Sequence, residues 1–120
     1  MKLTKRIAPP YSILFISDRD LGEPLEPSRE PLQWSDTAVR ISCLNEQDGS
    51  TTIVLGHVSE VGLTSPPAFN GEIKTPNKQI VVSTALLETV LAIDVSRRNT
   101  RIWIWRNHPT EPDEIVVGIE

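Results

Sequence analysis

This 120-residue chain is poor in the residue types that staple a fold, ligate metals or act as nucleophiles: it has one cysteine, two histidines, three tryptophans, two phenylalanines and one tyrosine. The lone Cys43 excludes an internal disulfide, and one cysteine with two histidines falls short of the four ligands of a structural zinc site. Nothing therefore points to an oxidising compartment, and the cytoplasm is the expected location. No apolar run approaches the ~20 residues of a membrane span. The stretch "IAPPYSILFISDRD" after "MKLTKR" is interrupted by Pro9-Pro10 and regains charge at Asp18, which argues against a signal peptide. Also lacking are a Gly-x-Ser-x-Gly elbow, a His-x-x-x-His pair and a glycine-rich phosphate loop.

What is present is charge, arranged in poles. The net charge is only −4 at 13.4 kDa, which disfavours wholesale nucleic-acid binding. Between residues 18 and 36, however, six acids (Asp18, Asp20, Glu23, Glu26, Glu30, Asp36) face two arginines. Residues 97–106 hold Arg97, Arg98, Arg101 and Arg106 with no acid, and residues 111–120 hold four acids with no base. The acidic stretch "RDLGEPLEPSREPLQ" contains Gly22, Pro24, Pro27 and Pro31, so it reads as an irregular or extended surface loop. A loop of that length in a compact domain is usually functional or disordered.

Elsewhere the chain reads as short strands separated by turn chemistry. "YSILFISD" is a first strand, blocked from a helical start by the prolines before it. "TAVRISCL" puts Val39, Ile41 and Cys43 on one face and Arg40 and Ser42 on the other. Asp48-Gly49 signals a hairpin, with "TTIVLGHV" expected to pair back antiparallel. Residues 60–77 read as loop with a short extended piece at 72–74, and "KQIVVST" as another strand. "TALLETVLAIDVS" suits either a helical face or a strand; strand is favoured for residues 89–95 because they are rich in β-branched types. With "RIWIWR" and "EIVVGIE" the count is about seven strands. The expected fold is an all-β antiparallel sandwich, with room for one short helix, spanning residues 1–120 as one domain after a flexible lead-in of residues 1–10.

Strand alternation in "TRIWIWRN" puts Arg101, Trp103, Trp105 and Asn107 on one face and Thr100, Ile102, Ile104 and Arg106 on the other. Either the tryptophans enter the core, as large aromatics usually do, or the isoleucines do. In the second case Trp103 and Trp105 are half exposed beside arginine, the residue pair enriched at binding hot spots and able to stack on unpaired bases.

Catalytic constellations are thin. Asp18 and Asp20 could hold a divalent cation, but they also suit a charged strand end, and no third ligand lies nearby in sequence. His57 and His108 read as structural or solvated. Cys43 reads as a small buried hydrophobe. No cofactor, metal or enzymatic turnover is expected, and the residues favour a binding protein.

At "QWSDTAV" the chain resembles the competence J family of small bacterial proteins. There a first strand is followed by a Trp, Ser or Thr, Asp, any residue, Ala signature, here Trp34-Ser35-Asp36-Thr37-Ala38, and a later β stretch corresponds to residues 78–96. The chain departs from the family pattern at Val82-Ser83-Thr84 and at Pro112-Asp113-Glu114. The resemblance implies a β-sandwich that inhibits a partner nuclease by binding it. A basic protein partner would then meet Asp20, Glu23, Glu26, Glu30, Trp34 and Asp36. Trp34 with Ser35 or Asp36 also has a purely structural reading, as a loop anchor and turn cap. The alternative is a ligand or single-strand nucleic-acid module using Arg97, Arg98, Arg101, Trp103 and Trp105. No membrane partner is expected in either case.

Overall fold

The computed structural model describes residues 2–19 and 30–120. Among the described residues there are ten strands, in two five-stranded sheets packed face to face. The first sheet has the order β1-β5-β10-β9-β6, formed by Lys2–Ile7, Thr51–His57, Glu114–Ile119, Asn99–Arg106 and Phe69–Lys74. In the second, β3-β4-β2-β7-β8, the strands are Leu32–Trp34, Ala38–Ser42, Ile13–Ser17, Gln79–Thr84 and Thr89–Asp94. All pairings are antiparallel except β5 with β10.

The core lies between the sheets and is filled by the apolar half of each alternation. Ile53 and Leu55, Ile102 and Ile104, and Ile115 and Val117 come from one sheet; Leu14 and Ile16, Val39 and Ile41, and Ile80 and Val82 come from the other. All are at most 1 % exposed. β-Branched side chains at period two satisfy strand geometry and core burial together, which is why these segments are strands.

Several sequence expectations are corrected. The expected flexible lead-in is strand β1, antiparallel to β5; its charged residues point outward because it is an edge strand. β5 does not pair back on β4. The connection carrying Asp48-Gly49 crosses from one sheet to the other, because both strands turn their apolar faces toward the same core from opposite sides. The 60–77 segment contains a full strand, β6, in place of a three-residue extended piece. Residues 83–91 hold no helix: β7 turns through residues 85–88 into β8, so the strand reading of 89–95 holds to within a residue. The one α-helix among the described residues is α1, Val58–Val61, which follows β5 directly.

This helix gives the first sheet a second, smaller core on its outer face. Val61, Trp105 and Val116 are buried there, with Val54, Val58 and Trp103 packed against them. Gly118 makes the approach possible: a Cβ at that position would sit 3.3 Å from both the Val58 Cα and the Trp105 ring.

Candidate partner-binding surface

The acidic segment is flanked in sequence by two fastened stems. Its first stem is the end of β2, where Asp18 is buried at 1 % exposure. The Asp18 carboxylate accepts the backbone N–H of Asn77 at 2.7 Å, of Arg19 at 2.8 Å and of Gln79 at 3.2 Å. Asn77 returns a bond from Nδ2 to the Arg19 carbonyl at 2.7 Å. Three donors converging on one carboxylate satisfy a charge that burial would otherwise penalise heavily. Asp18 is therefore a clasp between β2 and the β6–β7 turn, and its lone pairs are largely spoken for.

The second stem is the entry to β3, where the Pro31 carbonyl accepts the Ser42 N–H at 2.9 Å. Ser17 stands opposite Ala38 and Leu32 opposite Ile41, on the two flanks of β4. The stems are thus three residues apart along β4, roughly 10 Å at strand rise. Glu30 is exposed at the second stem, on a groove of about 430 Å³ shared with Tyr11 and Arg40. Asp20, Glu23 and Glu26 lie outside the described residues.

The Trp34 to Ala38 signature builds the turn between β3 and β4. Ser35 Oγ accepts the N–H groups of Thr37 at 3.2 Å and Ala38 at 3.3 Å, so the serine is the turn cap. Asp36 instead faces solvent and pairs with Lys74 at 3.2 Å, while its carbonyl accepts the Lys74 N–H at 2.8 Å. Both side chains are largely exposed, so the ion pair itself stabilises little. Trp34 is 59 % exposed, its ring 5.4 Å from that of Phe69 across the sandwich edge. It leans on the fold with one side and offers the other.

The arginine and tryptophan set is not brought together as one surface. The isoleucines of β9 enter the core and both tryptophans lie on the outer face. Trp105 is nevertheless only 7 % exposed, covered by α1 and by the residues that follow it. Trp103 is half-buried, with the Arg101 guanidinium carbon 5.7 Å above its ring, within cation–π range. Arg97 and Arg98 sit in the turn before β9, and Arg106 ends the strand, roughly 16 Å from Arg101 at strand rise.

Both histidines act as turn caps. His57 Nδ1 accepts the Ser59 N–H at 3.2 Å at the start of α1, and His108 Nδ1 accepts the Glu111 N–H at 2.9 Å. Cys43 is buried in the main core, where desolvation raises its thiol pKa from 9.0 to about 11. Sequence reasoning missed the clasp made by Asp18 and the pairing of Asp36 with Lys74, because both are long-range contacts without a local signature.

Two five-stranded sheets packed face to face define an all-β sandwich. By sequence, no family description and no curated protein matches the chain. In structure it is similar to ComJ from Bacillus subtilis, described as an inhibitor of the DNA degrading activity of NucA, with a TM-score of 0.70 at 11 % identity over 98 % of this chain and 93 % of that one. It is also similar to the crocagin biosynthetic gene J product, with a TM-score of 0.57 at 10 % identity over 98 % and 94 % of the two chains.

Proposed function

We propose that this chain is a small cytoplasmic inhibitor that binds a basic, nuclease-like protein and masks it with the acidic segment. The observation that carries the reading is the end-to-end likeness to ComJ, whose described role is inhibition of a DNA-degrading activity. Charge supports it independently. A nuclease must hold a polyanion, so its cleft is basic, and an acidic segment on clamped stems is complementary to such a cleft and is steered toward it. Trp34, exposed beside Asp36, supplies an aromatic anchor of the kind that dominates binding energy. Asp20, Glu23, Glu26 and Glu30 supply the charge, and no catalytic group, metal or cofactor takes part.

Affinity purification from the native host tests this reading. The wild-type chain is expected to retain a basic protein that degrades DNA once released, and a variant with Glu23, Glu26 and Glu30 changed to lysine is expected to lose it. A retained partner that is acidic, or retention unchanged by the charge reversal, contradicts the proposal. Among the residues of the alternative reading, Trp103 under Arg101 keeps an accessible face, which sustains single-strand nucleic-acid binding as the competing outcome.

A further inference from the structure

The edges of the two sheets are not equally defended against another strand. β1 carries Lys2, Lys5 and Arg6, β6 carries Gly71, Glu72 and Lys74, and β3 is only three residues long. Short length, edge charge and glycine each discourage pairing with a second chain. β8, Thr89–Asp94, has six residues with no lysine, arginine or proline, and its one charge stands at the last position.

Its backbone is half used. The Val95 N–H donates to the Lys78 carbonyl at 2.9 Å, and alternation from that pair makes Ile93 with Ile80, and Leu91 with Val82, the hydrogen-bonded pairs of the β7–β8 ladder. Ala92 and Asp94 therefore turn their N–H and C=O groups to the open side, where β8 has no neighbouring strand among the described residues. The core side of this edge is unfinished as well. Ile80 and Val82 are at most 1 % exposed, whereas Ile93 and Leu91 across from them, and Val95 beyond, are only partly buried. An irregularity in the ladder between Val82 and Ser83 leaves Val90 without a partner and confines the regular edge to residues 91–95.

That edge is complementary to itself. Antiparallel pairing of two copies about a twofold axis at Ile93 sets Ala92 opposite Asp94 of the second copy on both sides of the axis, each pair exchanging both backbone bonds. Ile93 then meets Ile93 and Leu91 meets Val95, which continues the core with apolar side chains and brings Glu88 toward Arg98 of the second copy. Moving the axis to Ala92 runs the pairing into the irregularity at Val90, and moving it to Asp94 opposes two carboxylates. We propose that β8 is a self-association edge, through which two copies of this chain join their second sheets into one continuous sheet. An interface of one strand pair falls in the small class below about 1,200 Å², so the dimer forms and separates with concentration. The inference rests on an edge apart from the acidic segment and does not depend on the inhibitor reading.

Sedimentation equilibrium of the purified chain from about 1 μM to 1 mM, the range in which small interfaces associate, tests it. The wild type is expected to rise from its 13.4 kDa monomer mass toward twice that value. Ala92→Pro should weaken the association at least tenfold while the fold is kept, because the N–H it removes serves only the second copy. An oxidative cross-link supplies a measurement independent of that variant. Ile93→Cys places two thiols on the axis at a Cα separation of about 4.5 Å, within disulfide range, and should give a covalent dimer. Thr89→Cys, on the same strand but far from the axis, should not, and the buried native Cys43 leaves the wild type as a control. A wild type that stays at monomer mass throughout, a folded Ala92→Pro that associates as the wild type does, or cross-linking of Ile93→Cys no faster than that of Thr89→Cys would overturn the proposal.

Discussion

The Trp105 indole nitrogen donates to the Ser65 carbonyl oxygen at 2.8 Å. That bond fastens the 62–68 segment onto the outer face of the first sheet and makes Trp105 the centre of a second core. Its neighbour two residues earlier, Trp103, shares the same face and remains half open. Two tryptophans with one sequence pattern thus have different roles.

Truncation separates them. Trp105→Ala is expected to cost about 3–5 kcal/mol in urea unfolding, as removal of a buried aromatic with its cavity. Trp103→Ala is expected to cost about 1 kcal/mol, because its ring is only partly buried. Equal losses at the two positions would mean that α1 does not cover Trp105 selectively.

Asp18→Asn leaves the shape of the clasp and removes its charge. One of the amide's two polar atoms is a donor, and it would face backbone N–H groups that now meet a carboxylate oxygen. The expected loss is about 2–4 kcal/mol in chemical denaturation, from weakened charge-assisted hydrogen bonds and an unsatisfied donor. A calorimetric titration of the wild type with Mg²⁺ or Mn²⁺ should show no micromolar binding, since the carboxylate is already engaged by three N–H groups. Binding abolished by the substitution would return a metal site to consideration.

The sandwich was legible because its core strands alternate: Val39 and Ile41, Ile53 and Leu55, Ile102 and Ile104 all sit where period two puts them. β1 and β6 were not, since "KLTKRI" is an edge strand whose polar side chains face solvent and "FNGEIK" carries Asn70-Gly71, a turn signal overridden by pairing with β9. The Asp48-Gly49 turn misled for a related reason. Turn chemistry is local, whereas the choice between pairing back and crossing to the opposite sheet is made by the shared core. On the candidate surface, alternation placed both tryptophans on one face but could not show that a four-residue helix covers only one of them.

Cys43 predicts a pH dependence. Its thiol pKa is raised in the fold from 9.0 to about 11, so the unfolded chain loses this proton first as pH rises. The contribution is fully present below pH 9, declines between about 9 and 11, and is gone above that range. Alkaline unfolding of Cys43→Ser should show a smaller decline across this window. In the native state at neutral pH the thiol should react with a disulfide reagent only as fast as the protein opens, and rapid native-state labelling would show that the site is not sealed.

The two poles can be set against each other in one binding experiment with a short single-stranded oligonucleotide. Weak binding that Trp103→Ala and Arg101→Gln leave unchanged is the expected outcome, because the arginines are spread from the turn before β9 to the end of that strand. Tight binding lost in a fully stable Trp103→Ala variant would place the working surface on that strand instead.

The most direct measurement follows DNA degradation by the partner isolated from the native host as the purified chain is added. Wild type should suppress the degradation at equimolar protein. The variant with lysine at 23, 26 and 30 should fail to do so, mainly through a slower association rate that depends steeply on salt. Degradation that continues undiminished at saturating wild-type protein, or inhibition that survives the charge reversal, would contradict the account.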